Sequence, residues 1–322
     1  MRLLAVTATA ITVMLGGPVA AEQWPTRNVR LIVPYPPGGN VDSAARIVAD
    51  KLQERLGYAF VVENKAGAGG LIAGEAFARS RNDGHTLFIG ANGPVLFAPE
   101  INKRDAYNWK RDFLAITTIS MTPLVLEVHP SVQVRTVREF IDLVRREPDK
   151  LTMASPGAGT TNHLLGELAQ SSLGLQWLTV HYRGNAPATN DLIGGQVQFG
   201  FDQISVALPY IKSGMIRALA VTSAHRVASL PDVPTFSELG YGDFDAQTFT
   251  GLFAPAGTPS AIVESLHDAM AAILKDPAVA EKFNKLGAEA VVMTSGEFTA
   301  YLEREDAKWI PVVRKANIKA YH

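Results

Sequence analysis

The chain has 322 residues, 47% of them hydrophobic and 19% charged, a formal net charge of −1 and no cysteine. That balance excludes a nucleic-acid or anionic-membrane partner held by bulk charge. The lack of Cys excludes a disulfide framework, a thiolate metal site, a cysteine nucleophile and a lipid anchor through Cys, while the length allows about two domains with cores of their own.

The N-terminus predicts a cleavable secretory signal peptide over residues 1–21. Arg2 is its charge, Leu3–Leu15 its apolar core, Gly16-Gly17-Pro18 the break, and Val19-Ala20-Ala21 the small residues before cleavage at Glu22. The apolar run is shorter than the roughly 20 residues a bilayer span needs. The expectation is a soluble exported protein with no direct membrane insertion.

From there short apolar runs alternate with amphipathic stretches. Val29–Val33 reads as a strand and Val41–Leu56 as a helix that Gly57 ends. Phe60–Glu63 is a strand, Gly67–Gly70 opens a helix through Ala78, and Thr86–Ile89 is the next strand. Pro123–Val128 is an apolar run able to cross into a second lobe. Beyond it, Val137–Arg146, Thr160–Leu173, Ala186–Ile193 and Val206–Ser213 read as helices. Leu151–Ala154, Leu178–His181, Val197–Phe201 and Arg217–Thr222 read as strands. Thr248–Ala254 is a strand able to cross back, followed by helices over Ala261–Leu274, Ala278–Leu286 and Glu297–Lys315. The alternation predicts an α/β protein in two lobes, each a doubly wound, mainly parallel sheet. Two crossings make a hinge. The lobes are expected over 22–123 with 247–322, and over 124–246.

Two glycine-rich turns carry the chemistry. Leu31–Asp42 runs a strand through Tyr35-Pro36-Pro37-Gly38-Gly39 into a helix. Ser155–His163 repeats the arrangement with Gly157, Gly159 and the hydroxyls of Ser155, Thr160 and Thr161. The first N–H groups of a helix lack internal partners and sit at its positive end, so each turn makes an anion site without Lys or Arg. Plainer roles stay open: Asp42 and Thr161 as helix caps, Tyr35 as a packing residue and His163 as a structural histidine. Asp202 follows an apolar strand, where it serves either a site or a cap. The Gly67-Ala68-Gly69-Gly70 run is no dinucleotide fingerprint, because Ile72 stands where a third glycine belongs. There is no His-Glu-x-x-His, no His pair at i, i+4 and no Gly-x-Ser-x-Gly elbow. No catalytic residues, metal or cofactor are expected.

These segments match a known pattern block by block. They are Val33–Gly39 with Asp42, Glu63-Asn64-Lys65 with Gly67–Gly70, Asp83–Leu87, and Gly157–Thr160 with His163-Leu164. Tyr182-Arg183-Gly184 with Ala186-Pro187-Ala188, Gly195-Gln196-Val197 with Phe201-Asp202, Arg217–Thr222, Leu230–Thr235 and Gly251–Pro259 continue the series. The chain resembles the Bug family of periplasmic substrate-binding proteins, which serve tripartite tricarboxylate transporters. The resemblance implies a type II periplasmic-binding-protein fold that closes on a small carboxylate, with membrane transporter subunits as partners. It places the carboxylate clamp on Tyr35, Pro37, Gly38, Gly39 and Asp42, and on Ser155, Gly157, Gly159, Thr160 and Thr161, with His163 one step inside the second helix as a further candidate contact. It sets Asn92 in the same cleft and Asp202 near the ligand's far end. Thr248-Phe249 stands where the family often has Trp. The competing expectations are an exported hydrolase of a carboxylate ester or amide, and a binding component that feeds a sensor.

Overall fold

The computed structural model describes residues 24–318. The expected signal peptide, residues 1–21, lies outside them. In chain order the elements are β1 Val29–Val33, α1 Asn40–Leu56, β2 Phe60–Asn64, α2 Leu71–Ala78, β3 Thr86–Gly90, α3 Ala98–Asn102, α4 Trp109–Asp112 and β4 Phe113–Val128. There follow α5 Val137–Arg146, β5 Thr152–Ser155, α6 Thr161–Leu173, β6 Leu178–His181, α7 Asn185–Ile193, β7 Phe199–Gln203, α8 Ile204–Lys212 and β8 Arg217–Val221. The chain ends with β9 Gln247–Pro255, α9 Ser260–Leu274, α10 Pro277–Lys285, β10 Glu289–Ala290 and α11 Ser295–Lys315. Among the described residues no helix is long and apolar enough to cross a membrane.

The first half of the molecule is built on β1, which pairs in parallel with β2 and β3. A strand covered on both faces has no polar side to show, and Leu31, Ile32 and Val33 are all fully buried. Val29, Leu31 and Val33 pack with Val41, Ala45, Val48 and Leu52 of α1 and Leu266 and Met270 of α9. Ile32 faces the other way, into the core that holds Phe77 of α2 and Phe88 of β3. Gly57 ends α1 in a left-handed conformation and donates its N–H to the Gln53 carbonyl. The helix expected to open at Gly67 begins at Leu71, because a 3-10 turn over Ala68–Gly70 comes first.

The second half is centred on β5, parallel to both β6 and β7. Both halves join through β4. Its first stretch, Phe113–Pro123, pairs antiparallel with β9, and its last, Leu124–Val128, lies between β7 and β8 and antiparallel to both. The result is one path of strands, β2-β1-β3-β9-β4-β7-β5-β6, with β8 and β10 also on β4. The chain therefore leaves one half through β4 and returns through β9. Thr222 ties these two crossings together: its Oγ1 accepts the Leu124 N–H at 2.8 Å and donates to the Ala246 carbonyl at 2.5 Å.

Candidate ligand-binding site

The carboxyl ends of β1 and β5 face each other, and each runs through its glycine-rich turn into a helix. In the first turn Gly38 takes φ +86° and donates its N–H to Asp42 Oδ2 at 2.9 Å. Asp42 also accepts from Arg46 Nε at 2.9 Å and from Asn64 Nδ2 at 2.9 Å, and Asn64 in turn donates to the Tyr35 carbonyl. Burial pushes the Asp42 carboxyl up, but the bonds from Arg46, Gly38 and Asn64 outweigh it and hold it below the ordinary range. Asp42 thus spends its oxygens on shaping its own turn.

The second turn is braced likewise. Ser155 Oγ accepts the Gly157 N–H at 3.3 Å, and Thr160 Oγ1 donates to the Gly157 carbonyl at 2.8 Å while accepting the His163 N–H at 3.3 Å as the cap of α6. His163 Nδ1 accepts the Gly159 N–H at 3.1 Å, and its Nε2 lies 3.4 Å from Glu167. Gly159 takes φ +76° with Ile101 so close that a Cβ would lie 2.2 Å from Cδ1. Only glycine fits there, and the second turn packs directly on the first half.

Between the turns lies a cavity of about 20 Å³. That is room for one water, so a larger occupant enters only when the halves part. Of the expected residues, Tyr35, Gly39, Thr160 and Thr161 line it. Pro37 and Gly38 are exposed on the outer side of the first turn. Asp42, Ser155, Gly157, Gly159 and His163 form the bracing behind the walls. Asn92 is fully buried and knits the first half: its Nδ2 donates to Glu305 and its Oδ1 accepts the Phe249 N–H. Asp202 lies inside β7, not after it, and faces a second cavity of about 10 Å³.

Sequence reasoning missed Asn40, Val41, Ala91, Asn162, Asn185 and Gln203, which with Pro156 and Thr248 complete the lining. A signal was present. Asn40, Asn162, Asn185 and Gln203 each stand at the start of a helix, the place that makes an anion site. The cavity wall thus carries the N-terminal residues of α1, α6, α7 and α8, and none of its lining residues is charged. Gly39 supplies no side-chain cap to α1, and Gly184 none to α7.

The polar side chains are set by one network. Asn162 and Asn185 donate Nδ2 to Asp202 Oδ1 at 3.1 and 2.6 Å and to Gln203 Oε1 at 3.2 and 2.8 Å. Gln203 Nε2 donates to Asn162 Oδ1 and, across the cleft, to Thr248 Oγ1. Asn40 Oδ1 accepts from Thr122 at 3.1 Å and from Ser205 at 2.7 Å, the second also across the cleft. Its Nδ2 is buried without a partner. A buried donor left unpaired costs about 1–3 kcal/mol, and Asn40 is among the residues that line the cavity.

The model of the tripartite tricarboxylate transporter family receptor matches residues 44–318. The chain belongs to this receptor family. Protein BugT of Bordetella pertussis (strain Tohama I / ATCC BAA-589 / NCTC 13251), a relative of the family receptor described here, is 35% identical over 99% of this chain and 98% of its own. The solved structure of R. palustris Rpa4515 with adipate superposes with a TM-score of 0.87 at 34% identity, covering 92% of this chain and 99% of that one. MatC from Rhodopseudomonas palustris with bound malate gives a TM-score of 0.84 at 30% identity, over 90% of this chain and 100% of that one. The architecture of this receptor is therefore the two-part α/β fold of the periplasmic binding proteins.

Proposed function

We propose that this receptor captures a small carboxylate in the periplasm and delivers it to the membrane subunits of a tripartite tricarboxylate transporter, without chemistry of its own. The observation that carries the reading is the unpartnered Asn40 Nδ2, buried beside the N-termini of α1 and α6 in a cavity lined by uncharged groups. Donors without fixed charge suit a carboxylate that must be released again. A micromolar affinity corresponds to about −8 kcal/mol, and hydrogen bonds to a charged group supply about 1.5–3 kcal/mol each. The adipate and malate on the two similar structures support this ligand class.

In this reading the clamp comprises Tyr35, Gly39, Thr160 and Thr161 with Asn40, and the residues behind them hold it in shape. Residues 22–123 with 247–322 act as one lobe and residues 124–246 as the other, hinged where Thr222 joins the crossings. A thermal-shift screen of the mature protein against mono-, di- and tricarboxylates, with sugars, phosphate and cations as controls, tests it. A carboxylate at 100 times its dissociation constant adds about 2.7 kcal/mol and raises the melting temperature by several degrees. Shifts with sugars or cations only, or with nothing in the panel, overturn the reading.

A further inference from the structure

Behind the second-half wall lie two buried acids. Glu127 is 1% exposed and Asp202 6%. Val125 pairs with Asp202 and Glu127 with Gly200 across β4 and β7, so the acids sit on one sheet face, on a diagonal of the ladder. Both line the 10 Å³ cavity, which shares Pro156 with the cleft. Asp202 Oδ1 serves Asn162, Asn185 and the Gln203 N–H, and its Oδ2 accepts from Thr189 at 3.1 Å. Glu127 Oε2 has no partner.

No cation balances them. Among the described residues no ion pair includes either acid. The titratable groups on the surrounding elements are engaged elsewhere. Asp191 of α7 accepts from Tyr182, His163 of α6 lies by Glu167, and His181 of β6 meets Ser155. Arg217 of β8 donates to the carbonyls of Val132 and Val134, and His129, just past β4, meets Ser131. Lys212 stands at the far end of α8, and Tyr210, a phenol without charge at neutral pH, packs on the Ala154, Ala188 and Leu192 cluster that lines the cavity. Two carboxylates buried without a cation do not both ionise. Burial and the charge of Asp202 push Glu127 well up, and burial pushes Asp202 to about 6 against its hydrogen bonds. The pair therefore keeps one proton, and the four hydrogen bonds on Asp202 leave the remaining charge there.

We infer that the Glu127–Asp202 pair is a proton acceptor linked to ligand capture: enclosing a carboxylate in the cleft draws a second proton from solvent onto the pair. The inference rests on the carboxylate reading given above. Asn162, Asn185 and Gln203 touch Asp202 on one side and line the cleft on the other, so a single layer of amides separates the two negative charges. Like charges repel strongly across so short a gap in a site closed to water. The ligand keeps its charge because helix N-termini and donors hold it there. Asp202 takes the proton because burial already makes it the more basic carboxylate.

Isothermal titration of the mature protein with malate and with adipate, between pH 6.5 and 8 in buffers of low and high ionisation enthalpy, tests the linkage. The expected result is uptake of about half a proton or more per ligand at pH 7, with affinity rising as pH falls, by at most about tenfold per unit. Asp202→Asn has no proton to gain there, so the heat of any binding it retains is the same in both buffers. Thr189→Val removes a donor that favours the Asp202 carboxylate, so the uptake moves to higher pH; this variant decides if Asp202→Asn fails to fold. Equal heats in both buffers for the wild type, or an uptake profile unmoved in Thr189→Val, overturn the inference while leaving carboxylate capture intact. Failure of every carboxylate to bind overturns both.

Discussion

Gly38 and Gly39 are neighbours in the first turn with different work. Gly38 sits at φ +86° with open space where a Cβ would be. Gly39 has an ordinary extended backbone, φ −88° and ψ 177°, but a Cβ there would lie 2.9 Å from Asn185 Oδ1 on the far wall. A branched side chain at Gly38 is strained by about 1–2 kcal/mol and leaves the cleft clear. Gly38→Val should therefore lower the melting temperature and keep most carboxylate affinity. Gly39→Val should do the reverse, losing binding at least tenfold with little change in melting temperature. Parallel calorimetry and thermal melts check the pair. Residues such as Asp42 and His163 show where a sequence stops being legible. A carboxylate and an imidazole, each at the third position of a helix that follows a glycine-rich turn, look like ligand contacts. Whether they turn outward or bond their own turn depends on side-chain angles that no spacing records.

Most elements were readable from periodicity, because strands covered on both faces and helices with one apolar stripe leave plain patterns. β4 was only half readable. Pro123 looked like its start, yet the strand begins at Phe113. Thr117, Thr118, Ser120 and Thr122 made that stretch look polar, though all four are buried. Three of their hydroxyls are spent inside: Thr117 on the Met293 carbonyl, Thr118 on the Val291 carbonyl and Thr122 on Asn40. The need for those partners arises 80 or more residues away in sequence. At the same scale Thr222 is the clip between β4 and β9. Thr222→Val keeps the volume and strands the Leu124 N–H and the Ala246 carbonyl, both buried. The expected loss is about 2 kcal/mol or more, seen in urea unfolding with an unchanged slope. A loss under 0.5 kcal/mol would show that the crossings need no clip.

For the molecule as a whole, the buried acid pair gives stability a pH dependence opposite to that of ordinary ion-paired carboxylates. A carboxyl whose folded pKa is raised holds its proton in the native state after the unfolded chain has lost it. Its contribution is present below about pH 4.3 and declines as pH rises toward the folded value, by at most about 1.4 kcal/mol per unit. Glu127 is such a group, raised by burial and by Asp202. Glu127→Gln should thus flatten the fall in stability between pH 5 and 7 and melt higher than wild type at pH 7. Matching slopes for the two proteins would show that Glu127 is ionised in the fold.

The bridge from Ser205 to Asn40 and that from Gln203 to Thr248 join the two walls directly, with no cargo in between. A carboxylate larger than the 20 Å³ between the walls enters or leaves only as these bridges break. Departure waits for the walls to separate, a motion of microseconds to milliseconds in hinged proteins. Cargoes that differ widely in affinity then share one ceiling on their exit rate, fixed by contacts none of them touches.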